Sequence, residues 1–147
     1  MREPFQVLAI PYRFIENEWC FCVFRRADSD IWQFIAGGGE SNEKPMDAAL
    51  REIKEETGVT AKQLTALQSV AFVPAEVVAE NLRAHWDKNI FVIPEYSFAF
   101  ECTADPTLSR EHCECKWLPY NEARKLLKWD SNKVAMYEMM CRLRNYE

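Results

Sequence analysis

The stretch Gly37–Val59, which reads GGGESNEKPMDAALREIKEETGV, decides the fold. After its three glycines, Pro45 has a φ angle that suits the first turn of a helix, and it has no N–H to lose. Gly58 can adopt the left-handed conformation that commonly ends a helix. The sequence therefore predicts a glycine loop, a helix over Pro45–Thr57 and a turn at Gly58.

One face of the predicted helix should pack on the core. Ala49 and Ile53 recur at a spacing of four residues, and Met46 and Leu50 extend the pattern toward the start of the helix. Apolar residues spaced by three and four positions form one stripe on a helix. We therefore expect these four side chains to face the core.

Another face of the helix carries three glutamates, because residues three and four apart are neighbours on a helix. Glu52, Glu55 and Glu56 repel one another unless cations are present, and hard oxygen ligands at this density suit Mg²⁺, with Mn²⁺ as the alternative, better than zinc. Arg51 precedes Glu55 by four residues and can hold a carboxylate in place by a charge-assisted hydrogen bond. We predict a catalytic metal site here, with Arg51 as an orienting residue rather than a substrate ligand. The alternative is a solvated acidic face.

The glycines before the helix form a second part of the predicted site. A glycine loop that leads into a helix lets the backbone approach phosphate and metal closely. We therefore predict that Gly37 and Gly38 bind substrate, the alternative being a merely flexible turn.

Composition limits the class of protein. The chain has 147 residues, of which 48% are hydrophobic and 28% charged, so we expect a single domain over residues 1–147 with its own core. The net charge of −5 does not favour electrostatic binding of a nucleic acid polymer. A small phosphorylated substrate with bridging cations is compatible with this charge. No apolar run has the length of a membrane span and no signal peptide is evident, so we expect a cytoplasmic protein without a membrane partner. The six cysteines lack a CxxC arrangement and should be free thiols.

The rest of the chain alternates predicted strands with predicted helices, which indicates an α/β sandwich with a mixed β-sheet. The segment 74–94 has no clear periodicity, and a loop of that length is usually functional or mobile, so we expect it to form a wall or lid of the substrate pocket. The predicted strands are 5–12, 19–24, 32–36, 65–73, 96–102 and 115–118, and the predicted helices after the first are 121–129 and 131–145.

Written as a pattern, the deciding stretch is G-x5-E-x7-R-E-apolar-x-E-E-x-G-apolar, and it resembles the signature of the Nudix hydrolases. The resemblance implies an α/β/α sandwich that binds divalent cations and hydrolyses nucleoside diphosphates linked to another group, with water as nucleophile. Many members have Pro-Gly where this chain has Ile35-Ala36, a departure in the loop that leaves the carboxylates unchanged. The resemblance implies metal binding by Glu52, Glu55 and Glu56, a buried ion pair at Arg51, and turns at Gly37 and Gly58.

A narrower resemblance covers about a hundred residues and is to the Nudix subgroup that acts on dihydroneopterin triphosphate and on dATP. It rests on three short segments that occur in order, Trp32-Gln33, Glu111-His112 and Trp129-Asp130-Ser131-Asn132. The resemblance implies that Glu111 supplies a carboxylate from outside the helix, as an extra metal ligand or as the general base. The sequence leaves open whether Glu52 or Glu56 is the base instead.

Further residues are candidates for substrate contacts. Arg25 and Arg26 follow a predicted strand, and arginine binds phosphate oxygens with two parallel donors, so they are predicted to hold the terminal phosphates unless they are ordinary strand-end charges. Trp32, Trp86 and Phe91 can stack on a flat pterin or purine, although aromatic residues are more common in cores.

The sequence thus predicts a Mg²⁺-dependent Nudix pyrophosphohydrolase, monomer or homodimer, that cleaves a nucleotide or pterin triphosphate to a monophosphate and pyrophosphate. One alternative is hydrolysis of another nucleoside diphosphate derivative, such as an oxidised nucleotide, a nucleotide sugar or a dinucleoside polyphosphate. A second alternative is a Nudix module that binds a nucleotide without hydrolysis.

Overall fold

The computed structural model of the protein describes residues 1–145. No helix among them is long and apolar enough to cross a membrane. The part of the chain described contains seven β-strands, four α-helices and one 3₁₀ turn at Ala75–Val77. In chain order the strands and helices are β1 (Gln6–Ile15), β2 (Glu18–Arg26), β3 (Trp32–Gln33), β4 (Ile35–Gly38), α1 (Pro45–Thr57), β5 (Thr65–Pro74), α2 (Glu80–Arg83), β6 (Val92–Glu101), β7 (His112–Pro119), α3 (Tyr120–Leu126) and α4 (Asp130–Asn145).

The strands form one mixed sheet in the order β3-β2-β1-β6-β5. β1 is parallel to β6 and antiparallel to its other neighbours, with β4 along its first half and β2 along its second half. β7 is antiparallel to β2. The predicted α/β sandwich with a mixed sheet is therefore confirmed.

The core lies on both faces of this sheet because successive side chains of a strand point to opposite faces. In β1, Leu8 and Ile10 contact the apolar side of α4, where Met136 is fully buried. Val7 packs with Ala48 and Ala49 of α1 on the opposite face. The sheet is thus covered by α1 on one side and by α3 and α4 on the other.

Helix α1 begins and ends where the sequence predicts. The N–H of Lys44 donates to Oδ2 of Asp47 at 3.1 Å, which satisfies one free donor at the start of the helix. Gly58 follows the helix with φ at 75°, in the left-handed region that favours glycine. The predicted helix Pro45–Thr57 is confirmed at both ends.

Of the four residues predicted to face the core from α1, two are buried and two are exposed. Ala49 and Ile53 are fully buried, but Met46 and Leu50 are 41% and 38% exposed. The buried face is centred nearer the glutamates, because small alanines bring the helix backbone close to the sheet at that side. The buried residues of α1 are Ala48, Ala49, Glu52, Ile53, Glu56 and Thr57.

Several predicted boundaries need correction. β6 begins at Val92, four residues before the predicted start, so the segment 74–94 includes the beginning of this strand as well as the 3₁₀ turn and α2. α3 ends at Leu126 rather than at Trp129, because the N–H of Lys128 donates to the backbone oxygen of Trp32 at 3.1 Å and draws the chain to β3. These corrections follow from pairing with distant strands, which local periodicity does not reveal.

A carboxylate on α4 attaches this helix to strand β5. Glu138 accepts the backbone N–H groups of Gln68 and Ser69 at 2.7 and 2.8 Å and the Ser69 hydroxyl at 2.7 Å. Arg142 donates to the same carboxylate at 2.9 Å. Burial alone would raise the pKa of Glu138, but these donors outweigh it and lower the pKa below its usual value.

We expect Glu138→Gln to lower the free energy of unfolding by about 1 kcal/mol at pH 7, because hydrogen bonds to a charged group stabilise more than neutral ones. The pKa is lower in the folded than in the unfolded state, so the contribution is lost as the pH falls from about 4.3 through the folded value. Denaturant unfolding at pH 7 and pH 3 measures the loss of stability and its dependence on pH. An equal loss at the two pH values would contradict the electrostatic explanation, and Glu122→Gln, at an exposed position of α3, is the control.

Candidate active site

The guanidinium of Arg51 holds the carboxylates at the start of the glutamate face. Its Nε and Nη2 donate to Oε2 and Oε1 of Glu43 at 2.8 and 3.0 Å, a bidentate pair. Nη2 also donates to the Gly38 carbonyl at 2.7 Å, and Nη1 donates to Glu52 at 2.9 Å and to Glu55 at 3.2 Å. The geometry therefore places Arg51 where it fixes three carboxylates and the glycine loop at once.

Sequence analysis included Glu43 in the signature of the metal site but assigned it no role of its own. Its carboxylate also accepts the backbone N–H of Glu40 at 2.7 Å, so it ties the loop before α1 to Arg51. The bidentate contact with Arg51 holds the pKa of Glu43 below its usual value. The fixed spacing between Glu43 and Arg51 in the signature was the signal for this pair.

Glu56, at the C-terminal end of the glutamate face, is contacted by residues just before and at the start of β7. The Ser109 hydroxyl donates to Oε2 of Glu56 at 2.7 Å. Nδ1 of His112 lies 3.1 Å from the same oxygen, within ion-pair distance but without the alignment of a hydrogen bond. His112 and Ser109 therefore position Glu56, a role that sequence analysis did not assign to either residue.

A bulge in the β2–β7 pairing brings His112 to this position. Arg25 pairs with Glu114, whereas Arg26 pairs with His112, so Cys113 is an extra residue in β7. Such a bulge re-aims the neighbouring side chains. His112 is 4% exposed as a result, and its ring lies against Phe24.

The carboxylates differ in their electrostatic surroundings. Burial raises the pKa of Glu52 to about 7, and the nearby charges of Glu55 and Glu56 add to the rise while Arg51 opposes it. For Glu56, burial is outweighed by His112 and Ser109, and the pKa is lowered. Burial and the charge of Glu56 together raise the pKa of Glu111.

The donor chemistry of this cluster fits a hard divalent cation. Glu52 and Glu56 are only 9% and 4% exposed, they lie one helical turn apart, and they offer oxygen ligands alone. Among residues 1–145, Arg51 is the one arginine that donates to Glu52, so the buried negative charge is only partly compensated. Across residues 1–145 no three acidic, histidine or cysteine side chains converge as a preformed metal site, since their oxygens are directed at Arg51, Ser109 and His112.

Gly37 lies between this cluster and a cleft on the other face of the sheet. A Cβ atom placed on Gly37 would overlap the Glu52 carboxylate, so only glycine fits there. A Cβ on Gly38 would overlap the guanidinium of Arg2. The two glycines therefore allow charged side chains to approach the strand β4 from either face.

The cleft has a volume of about 750 Å³ and opens between the sheet and the start of α4. Of the predicted substrate-binding residues, Arg26 and Gly37 line it. The structure also places Pro74 and Val77 of segment 74–94 in its wall, where sequence analysis expected a wall or lid.

Arg25 and Trp32 are not brought into the cleft. The Arg25 guanidinium donates to Asp30 at 3.0 Å and to Glu114 at 3.1 Å, and Arg25 does not line the cleft. The Trp32 ring lies under the ammonium group of Lys116, 5.2 Å from the ring centroid. These contacts favour the alternative interpretation, in which both residues are structural.

The two other aromatic candidates also lie elsewhere. Trp86 donates from Nε1 to the Arg2 backbone oxygen at 2.8 Å, and Phe91 is 74% exposed outside the cleft. Instead, Trp129 lines the cleft, and its Nε1 donates to the Gln33 side chain at 3.1 Å. The Trp-x-Ser-Asn segment was its signal in the sequence, but sequence analysis cited that segment only in support of the subgroup resemblance and assigned Trp129 no role.

A mixed-sheet sandwich with a glycine loop and a glutamate-rich helix beside a cleft is the arrangement that the sequence pattern predicts for a hydrolase of phosphoanhydride bonds. Residues 7–140 match the NUDIX domain, and the chain therefore belongs to the Nudix family. The matched residues include the signature helix, Glu111 and most of the residues that line the cleft.

Relatives are similar over nearly the whole chain. The dihydroneopterin triphosphate diphosphatase of Escherichia coli K12 is 30% identical over 145 residues, which cover 95% of this chain and 93% of that one. The crystal structure of a NUDIX hydrolase candidate from Listeria monocytogenes is 42% identical with a TM-score of 0.83, and covers 98% of this chain and 97% of its own. The E. coli dihydroneopterin triphosphate pyrophosphohydrolase structure is 25% identical with a TM-score of 0.72, over 91% and 92% of the two chains.

Proposed function

We propose that this Nudix hydrolase uses Mg²⁺ to cleave a reduced-pterin triphosphate or a deoxynucleoside triphosphate into a monophosphate and pyrophosphate. The observation that carries the proposal is the 30% identity with the E. coli dihydroneopterin triphosphate diphosphatase across nearly the full length of both chains. The cleft supports it, because about 750 Å³ suits a flat heterocycle with its ribose or side chain.

The cation site in this proposal consists of Glu52, Glu55, Glu56 and Glu111. A bound Mg²⁺ or Mn²⁺ supplies charge that stabilises the phosphate oxygens and lowers the pKa of a bound water. Arg51 keeps the first two carboxylates in place through its contacts at 2.9 and 3.2 Å. Its role is positioning, since its donors are occupied by protein acceptors.

The attacking water must lose a proton as it bonds to phosphorus, and a carboxylate beside the cluster can accept it. Glu111 suits this role because burial and the Glu56 charge raise its pKa, while Glu52 and Glu56 are the alternatives. Arg26 lines the cleft and lies near Glu56 and Glu111, so it is the arginine suited to the terminal phosphates. Asp28 holds it at 2.8 and 2.9 Å and orients its guanidinium.

Product analysis tests this proposal. We expect dihydroneopterin triphosphate or a deoxynucleoside triphosphate, incubated with purified protein and Mg²⁺, to give pyrophosphate and a monophosphate in equal amounts by ³¹P NMR. A panel with nucleotide sugars, oxidised nucleotides and dinucleoside polyphosphates is run in parallel. Release of inorganic phosphate from the triphosphate, or turnover confined to the other compounds, would contradict it, and binding without turnover in any divalent cation would indicate a non-catalytic module.

A further inference from the structure

A buried carboxylate in the cleft has an acceptor oxygen that the protein does not use. Glu95 lines the cleft from β6, yet it is only 6% exposed. Its Oε2 receives a long hydrogen bond from Nε2 of Gln6 at 3.4 Å. Its Oε1 is buried and has no hydrogen-bond partner among residues 1–145. A buried acceptor without a donor costs free energy, so this residue calls for an explanation other than stability.

The contacts of neighbouring residues determine which oxygens of Glu95 are free to accept a hydrogen bond. Arg2 donates from Nη2 to Oε1 of Gln6 at 3.0 Å, which turns the amide nitrogen of Gln6 toward Glu95. The Arg2 backbone oxygen is in turn held by the ring nitrogens of His85 and Trp86, each at 2.8 Å. The nearest amide thus already donates to Oε2. The Ser131 hydroxyl is also near Glu95 and opposes the rise in its pKa that burial causes, but Oε1 has no hydrogen bond among residues 1–145 and can accept a further donor.

The position of Glu95 relative to the glycine loop suits contact with the heterocycle rather than with the phosphates. Gly38 pairs with Gln6 across β4–β1, and Gln6 pairs with Glu95 across β1–β6. Neighbouring strands are about 4.8 Å apart, so Glu95 lies about 10 Å from Gly38 along the sheet. Trp129 lines the same cleft and offers a flat surface for a ring. A substrate with its phosphates at the glycine loop would extend its ring toward Glu95.

We propose that Glu95 determines substrate specificity by accepting two parallel N–H donors, the exocyclic amino group and the adjacent ring N–H of a 2-amino-4-oxopyrimidine ring. Reduced pterins and guanine carry this edge. Adenine presents one donor beside one acceptor, so its acceptor would face a carboxylate oxygen unfavourably. The inference rests on the proposed function, within which it selects the pterin and guanine class over adenine.

The experiment compares dGTP with dITP, which lacks only the 2-amino group, on the wild-type protein and on Glu95→Gln. Because a matched pair of hydrogen bonds to a base edge discriminates strongly, we expect the wild type to favour dGTP in kcat/KM by about tenfold or more. Glu95→Gln is isosteric and should bring this ratio close to one, mainly by lowering kcat/KM for dGTP. Glu101→Gln, at the exposed end of the same strand, is the matched control and should keep the wild-type ratio.

Two further results separate this inference from the proposed function. If Glu95→Gln lowers turnover of both substrates equally, or leaves the preference unchanged, the specificity role is wrong while the hydrolase proposal stands. If the wild type hydrolyses no triphosphate, the proposed function fails, and calorimetric binding of guanosine and inosine to the same proteins decides the inference alone. A guanosine preference that Glu95→Gln abolishes would support it, and equal binding of both nucleosides by the wild type would overturn it.

Discussion

Glu56→Gln is expected to lower kcat with Mg²⁺ by about a thousandfold, because losing several kcal/mol of metal-assisted stabilisation corresponds to that factor. Glu56 is 4% exposed and its carboxylate is oriented by Ser109 and His112, so the glutamine takes the same place without the negative charge. Turnover measured under saturating substrate, together with Mn²⁺ binding followed by electron paramagnetic resonance, checks the change. We expect fewer or weaker bound ions in the variant.

The control for Glu56→Gln is Glu122→Gln on α3, whose side chain is exposed and distant from the signature. Circular dichroism and thermal unfolding establish that both variants fold, which separates a lost charge from a lost structure. Retention of turnover by Glu56→Gln in the presence of Mg²⁺ would show that the proposed metal mechanism is wrong.

Arg51→Met is expected to lower the free energy of unfolding by about 2 kcal/mol, because removing one partner of a largely buried ion pair leaves the other charges uncompensated. Arg51 donates to Glu43, Glu52 and Glu55, and the exposed fractions of the first two side chains are 19% and 11%. Methionine preserves much of the apolar stem, so the loss reports on the guanidinium. Urea unfolding at pH 7 measures it, and turnover should fall as well because the carboxylates lose their orientation.

Arg142→Met provides the matched control for Arg51→Met. Arg142 also forms an ion pair four residues along a helix, with Glu138, but that carboxylate keeps its contacts to Gln68 and Ser69 when the arginine is removed. We therefore expect a loss below about 1 kcal/mol. Equal losses in the two variants would mean that Arg51 does not hold an otherwise unsatisfied cluster.

The extent to which sequence analysis succeeded differs between the helix and the cleft. The bounds of α1 followed from Pro45 and Gly58, whose backbone preferences act locally and do not depend on the rest of the fold. The side of α1 that is buried was predicted less well, because Met46 and Leu50 fit the helical period yet lie at the border of the contact with the sheet. Periodicity gives the width of an apolar stripe, whereas packing decides which way it is turned.

Most of the residues whose positions were not predicted from local sequence patterns lie in or near the cleft. Arg25 and Arg26 are adjacent in the sequence, but only Arg26 lines the cleft, because Asp30 and Glu114 hold the Arg25 guanidinium elsewhere. Trp32 was one of three candidate stacking residues, but Trp129 lines the cleft instead, because α3 ends early and the chain returns to β3. The second difference arises from strand pairing between residues far apart in the chain.

The sequence by itself determined the glutamate spacing of one helix, the glycines around it and the alternation of strands and helices, since these depend on residues a few positions apart. The tertiary structure alone decided that Ser109 and His112 orient Glu56, that Gly37 leaves room for the Glu52 carboxylate, and that Gln6 turns toward Glu95. The physical reason is that local geometry is set by backbone preferences and helical periodicity. Contacts across the sheet instead depend on register, burial and the long-range pairing of charges.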